Sequence, residues 1–78
     1  MKYIATFYTH AAALMTSRTL QKKGVSSKLA PVPRALSSSC GTCVMYAADN
    51  PYLSDMDPDA EAVYEVTESG YRELMRNE

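Results

Sequence analysis

The sequence has no tryptophan, one histidine, two cysteines, three glycines and four prolines in 78 residues. So little glycine and proline excludes collagen-like and low-complexity chains. No apolar run approaches the ~20 residues that a bilayer-spanning helix needs. The opening Met1-Lys2-Tyr3-Ile4 lacks the apolar stretch of a secretory signal, so the chain reads as cytoplasmic with no membrane partner. An excess of charge is missing too: eight basic and nine acidic residues leave a formal net charge of −1. Neutralising phosphates takes a basic surface, so no nucleic-acid partner is expected. Length is also scarce. Such a chain forms one domain, residues 1–78, and buries only about 60–65% of its unfolded surface. An enzyme with its own cofactor fold and substrate cleft does not fit. What is there, 46% hydrophobic and 22% charged residues, is globular in balance. A carrier, a binding module or a small redox protein suits it, with no cofactor.

Both cysteines fall in one motif, Cys40-Gly41-Thr42-Cys43. In a reducing compartment such a pair is redox-active, metal-binding or thiol-carrying more often than a structural staple. A disulfide across so short a loop would restrict the unfolded chain little. One such pair is also only half of a zinc site, and its other ligands would have to come from His10, carboxylates or a second subunit.

Along the chain, Lys2 to Tyr8 is rich in Tyr, Ile, Thr and Phe and reads as a strand. Thr9 is a good N-cap for the alanine run after it. Ala12, Met15, Thr16, Thr19 and Leu20 recur at helical spacing, and Lys22-Lys23-Gly24 is a helix stop. This predicts a helix over about 10–23. Val25 to Ala30 reads as a second strand, ended by Pro31 and Pro33. Residues 34–42 read as a loop and Cys43 to Ala47 as a third strand. Asp57-Pro58-Asp59 resembles a helix start, with an N-cap acid and Pro at the first position. Ala60, Val63, Tyr64 and Thr67 would share one face of that helix, Gly70 would end it, and Glu61, Glu65 and Glu68 would form its solvated side. Tyr71 to Arg76 reads as a last strand.

The order predicts an α+β fold: ferredoxin-like βαββαβ, a four-stranded antiparallel sheet with two helices on one face. The other sheet face would lie bare, and six tyrosines would suit a homodimer contact there. This topology brings the end of the first strand and the start of the third to one end of the sheet. Cys40 and Cys43 should therefore lie near Thr9 and His10. The N-terminus of the first helix would stabilise a thiolate or bound anion there. Gly41 lets the backbone fold closely around such a group, Ser37, Ser38 and Ser39 add donors, and Arg34 could add charge. Each feature also has a plainer reading: His10 in solvent, a flexible serine loop, a surface arginine and an inert pair of thiols.

The segments Tyr3 to Phe7, Thr9 to Ala12, Leu20 to Val25 and Pro31 to Gly41 together resemble the putative selenium/sulfur carrier protein-like family of small bacterial domains. The most specific piece is P-V-P-R-x-L-S-S-x-C-G, residues 31–41. The resemblance implies a carrier role, with Cys40 and Gly41 on the family motif and Thr9, His10, Arg34, Ser37 and Ser38 on its flanking positions. Cys43 lies outside the part of the motif that can be placed securely.

On this reading Cys40, assisted by Cys43, accepts and passes on a persulfide or selenide between a donor protein and an acceptor protein. Such a carrier needs an exposed thiol, an anion cradle and a docking face, not a substrate cleft. Two alternatives stay open: a thiol–disulfide redox module, and a metal-binding interaction module completed by two subunits.

Overall fold

In the computed structural model, which describes residues 1–77, β1 (Lys2–Phe7) is the central strand. Its β-branched and aromatic side chains are buried from Tyr3 to Phe7. The chain then turns into α1 (His10–Lys22). Thr9 caps this helix from an extended conformation, its hydroxyl accepting the Ala12 N–H at 3.1 Å. At the other end Lys23 and Gly24 close the last turn, with Gly24 at φ +80°. β2 (Ser26–Pro31) and β3 (Thr42–Ala47) follow, joined by the loop 32–41. After a short 3-10 turn at Leu53–Asp55 come β4 (Ala60–Thr67) and β5 (Gly70–Arg76).

The sheet has five strands in the order β2-β3-β1-β4-β5, and every neighbouring pair is antiparallel. This corrects the ferredoxin-like expectation. The β1-α1-β2-β3 half is as expected, with β3 beside β1, but the second helix is absent and a hairpin stands in its place. The reason lies in residues 57–70. Asp57-Pro58-Asp59 makes a turn: the Asp59 N–H donates to the Asp57 carboxylate at 2.9 Å, and the Ala60 N–H to the Asp57 carbonyl at 2.8 Å. Three consecutive residues, Ala62, Val63 and Tyr64, are then buried. A helix with one inward face does not bury such a run, whereas a strand between two partners buries both its faces. Val63, Tyr64, Val66 and Thr67 are also strand formers. Gly70, expected to end a helix, instead pairs with Thr67 across the hairpin loop Glu68-Ser69.

One face of the sheet packs on α1. Tyr3, Ala5 and Phe7 of β1 meet Ala12, Ala13 and Leu20 of the helix, with Val44, Tyr46 and Val63 beside them. Tyr3 and Tyr46 stack with ring centroids 5.2 Å apart. Burying a side chain such as Leu20 or Phe7 is worth about 1.5–3 kcal/mol. The helix sits one position round from the expected stripe: Ala13 and Ser17 face inward, and Met15 is 54% exposed. Ser17 is satisfied by a hydroxyl–hydroxyl contact with Ser27 of β2 at 3.0 Å.

Strand alternation turns Ile4, Thr6, Cys43, Met45, Ala62 and Tyr64 to the opposite, helix-free face. A groove of about 480 Å³ lies on this side, lined among others by Lys2, Ile4, Lys28, Met45, Val66 and Tyr71. Tyr64 and Tyr71 belong to this face, whereas the stacked rings of Tyr3 and Tyr46 belong to the helix-side core. Among the described residues no helix is long and apolar enough to cross a membrane.

Candidate functional site

The loop 32–41 is closed at its neck by the β2–β3 ladder. Beyond the Pro31–Thr42 pair, the Val32 N–H donates to the Gly41 carbonyl at 3.1 Å. Pro33 to Leu36 forms a β-turn, the Leu36 N–H bonding to the Pro33 carbonyl. Gly41 has φ +74°, the left-handed region that side-chain-bearing residues avoid. That conformation lets the chain leave the loop and join β3 within one residue of Cys40.

Two bonds pin the loop across the end of the sheet. The Ser38 hydroxyl donates to the Phe7 carbonyl at 3.0 Å. The Ser39 N–H donates to Glu61 Oε1 of β4 at 3.1 Å. Serines expected to cradle an anion are thus partly committed to holding the loop. Thr9 is likewise committed to capping α1.

Cys40 is half-buried, packs against the helix-side core and donates through Sγ to the Thr42 carbonyl at 3.5 Å. Cys43, paired with Thr6 of β1, is fully buried, and its Sγ lies 3.7 Å from the Pro31 carbonyl. Burial pushes the Cys43 thiol up from its ordinary value, and the neighbouring Cys40 pushes it the same way. The two thiols are free and occupy different surroundings: one partly exposed in the loop, the other enclosed in the sheet, where burial favours its protonated form.

His10, the first residue of α1, reaches this end of the sheet. Its Nδ1 lies 3.3 Å from Thr42 Oγ1, between the two cysteines in sequence. The structure therefore links His10 to the Cys40-Gly41-Thr42-Cys43 motif through Thr42 and holds Ser38 and Ser39 at the same end of the sheet, with Cys40 toward the helix side and Cys43 toward the opposite face. It does not tie in Arg34, which is exposed in the Pro33–Leu36 turn with no ion pair among the described residues. Nor do three or more His, Cys, Asp or Glu side chains of the described residues come together as a metal site would need. Sequence reasoning missed Glu61. Its signal was the strand-forming run Val63, Tyr64, Val66 and Thr67, which makes Glu61 part of a strand reaching the loop.

Comparison with curated proteins and with solved structures gives no match. The sequence model of one family matches residues 2–52, which hold β1, α1, β2, the Cys40 loop and β3. With more than half of its 78 residues matched, the chain belongs to the putative Se/S carrier protein-like family.

Proposed function

We propose that this chain carries a sulfur or selenium atom on Cys40. The observation that carries the reading is the contrast between the two thiols: Cys40 is partly exposed on a pinned loop, whereas Cys43 is fully enclosed. In the loading step the Cys40 thiolate attacks the outer sulfur of a donor persulfide. The donor S–S bond breaks, its thiolate leaves with the bonding pair, and Cys40 becomes a persulfide. A selenium cargo follows the same arithmetic, with selenium as the outer atom. An acceptor nucleophile then takes that atom and returns Cys40 as thiolate.

Cys43 is the resolving thiol in this scheme. As thiolate it attacks the Cys40 sulfur, a Cys40–Cys43 disulfide forms, and hydrosulfide or hydroselenide leaves. A thiol reductant restores both cysteines. Burial of Cys43 makes this release slow until the start of β3 opens, so the cargo is retained between donor and acceptor.

Native mass spectrometry after treatment with glutathione persulfide tests the proposal. The wild-type chain gains the mass of one sulfur, Cys40→Ser gains none, and Cys43→Ser gains it and keeps it longer. Loss of two hydrogens in the wild type, with no sulfur gain even in Cys43→Ser, where no resolving thiol is left, would establish the thiol–disulfide module instead. A sulfur gain that survives Cys40→Ser would overturn the assignment to Cys40.

A further inference from the structure

The β1–β4 ladder slips by one residue beside the Cys40 loop. Thr6 pairs with Ala62, but Phe7 pairs with Ala60, which leaves Glu61 as the extra residue of a β-bulge. A bulge breaks the regular pairing and re-aims the side chain it carries. Here both consequences meet the loop. The Phe7 carbonyl takes the Ser38 hydroxyl, and the Glu61 carboxylate takes the Ser39 amide, so two successive loop residues are received by the two sides of one bulge. The Glu61 carbonyl is held independently by the Asn77 N–H at 2.9 Å, which ties its backbone to the segment following β5. This receiving residue lies outside the stretch matched by the family, which ends at residue 52.

We propose that Glu61 is a positioning residue: its carboxylate latches the amide next to Cys40 and sets how far the Cys40 sulfur projects from the sheet. The inference deepens the carrier reading and rests on it for its functional meaning. Latched, Cys40 stays half-buried against the core with Sγ over the Thr42 carbonyl. Unlatched, the loop swings on its neck and exposes the sulfur, along with any atom attached to it. The latch thus shields a loaded persulfide from adventitious thiols.

The test compares Glu61→Ala, which removes the acceptor, with Glu61→Gln, which keeps an oxygen at the same reach. Three readouts are taken on the folded chain. Hydrogen exchange at the Ser39 amide quickens about fivefold in Glu61→Ala, as expected for a lost charge-assisted bond at the surface, and returns toward wild type in Glu61→Gln. Alkylation of Cys40 by iodoacetamide rises by a similar factor in Glu61→Ala alone, while Cys43 stays unreactive. After loading with glutathione persulfide, the Cys40 persulfide is lost to added glutathione faster in Glu61→Ala than in Glu61→Gln. Equal exchange and equal alkylation in all three proteins would overturn the latch. A parallel rise at Cys43 would mean general loosening and would overturn it too. If wild type takes up no sulfur, the carrier reading fails, while the first two readouts still decide the latch.

Discussion

His10 Nδ1 and Thr42 Oγ1 stand 3.3 Å apart, joining the first turn of α1 to the residue between the two cysteines. The contact spans 32 positions in sequence, and it exists because β3 runs antiparallel beside β1. It lies at the surface, so its energetic share is small. A double-mutant cycle of His10→Ala and Thr42→Val, read by urea unfolding, should give a coupling of about 0.5 kcal/mol. A coupling above about 2 kcal/mol would mean that the pair is far better shielded than its exposure allows.

The two cysteines should react on different schedules. With the chain folded at pH 8, iodoacetamide should label Cys40 and leave Cys43 untouched, because Cys43 has no exposed surface and its thiol is held protonated. In denaturant both should label alike. Peptide mass mapping reads the outcome, and early labelling of Cys43 in the native chain would contradict the enclosed geometry.

Gly41→Ala should destabilise the chain by about 1 kcal/mol, through backbone strain alone. The added methyl would meet nothing within 4 Å, but φ +74° is unfavourable for alanine. Asn tolerates that conformation better, so Gly41→Asn should cost less. The same loss for both variants would point to a contact instead.

Thr9→Ala should cost about 1 kcal/mol, since it removes the acceptor for the Ala12 N–H, and Thr9→Ser should recover most of it. Thermal melts monitored by circular dichroism would show this as a lower midpoint for the alanine variant.

Alkaline conditions should weaken the fold in a predictable window. Burial raises the Cys43 thiol above 9.0 and the Tyr46 phenol above 10.0. Above those values the unfolded chain releases protons that the folded chain keeps, so the folded state loses ground as pH rises. Stability should be flat in this respect below about pH 9 and fall beyond it. Tyr46→Phe forfeits the bond from its hydroxyl to the Pro51 carbonyl, which costs about 1 kcal/mol at neutral pH. It should in return flatten the decline above pH 10. Urea midpoints from pH 7 to 11 would trace both effects.

Local signals were legible where each element is decided locally. Thr9 starts α1 and Lys22-Lys23-Gly24 stops it, because capping and the left-handed exit concern only adjacent residues. The juxtaposition of His10 with the Cys40 motif also followed from the first three strands and one crossover. Residues 57–70 were not legible in the same way. Asp57-Pro58-Asp59 serves a turn as readily as a helix start, and Ala60, Val63, Tyr64 and Thr67 match helical spacing while three of the four are strand formers or neutral. The choice was made by distant partners: β1 offers an unpaired edge, and β5 offers a second one. The bulge that aims Glu61 at Ser39 is a product of that pairing, and no local pattern announces it.

The central place of β1 has a consequence for synthesis on the ribosome. Its partner β4 begins more than fifty positions later, at Ala60. Until that hairpin emerges, β1 can pair only with β3, and its other edge presents free N–H and C=O groups between buried-type side chains. Such an edge invites pairing with another nascent chain. The matched stretch 2–52, expressed without the hairpin, should therefore form larger species at concentrations where the whole chain does not, as light scattering would register. The hairpin acts as a built-in guard for the strand on which the rest of the sheet is assembled.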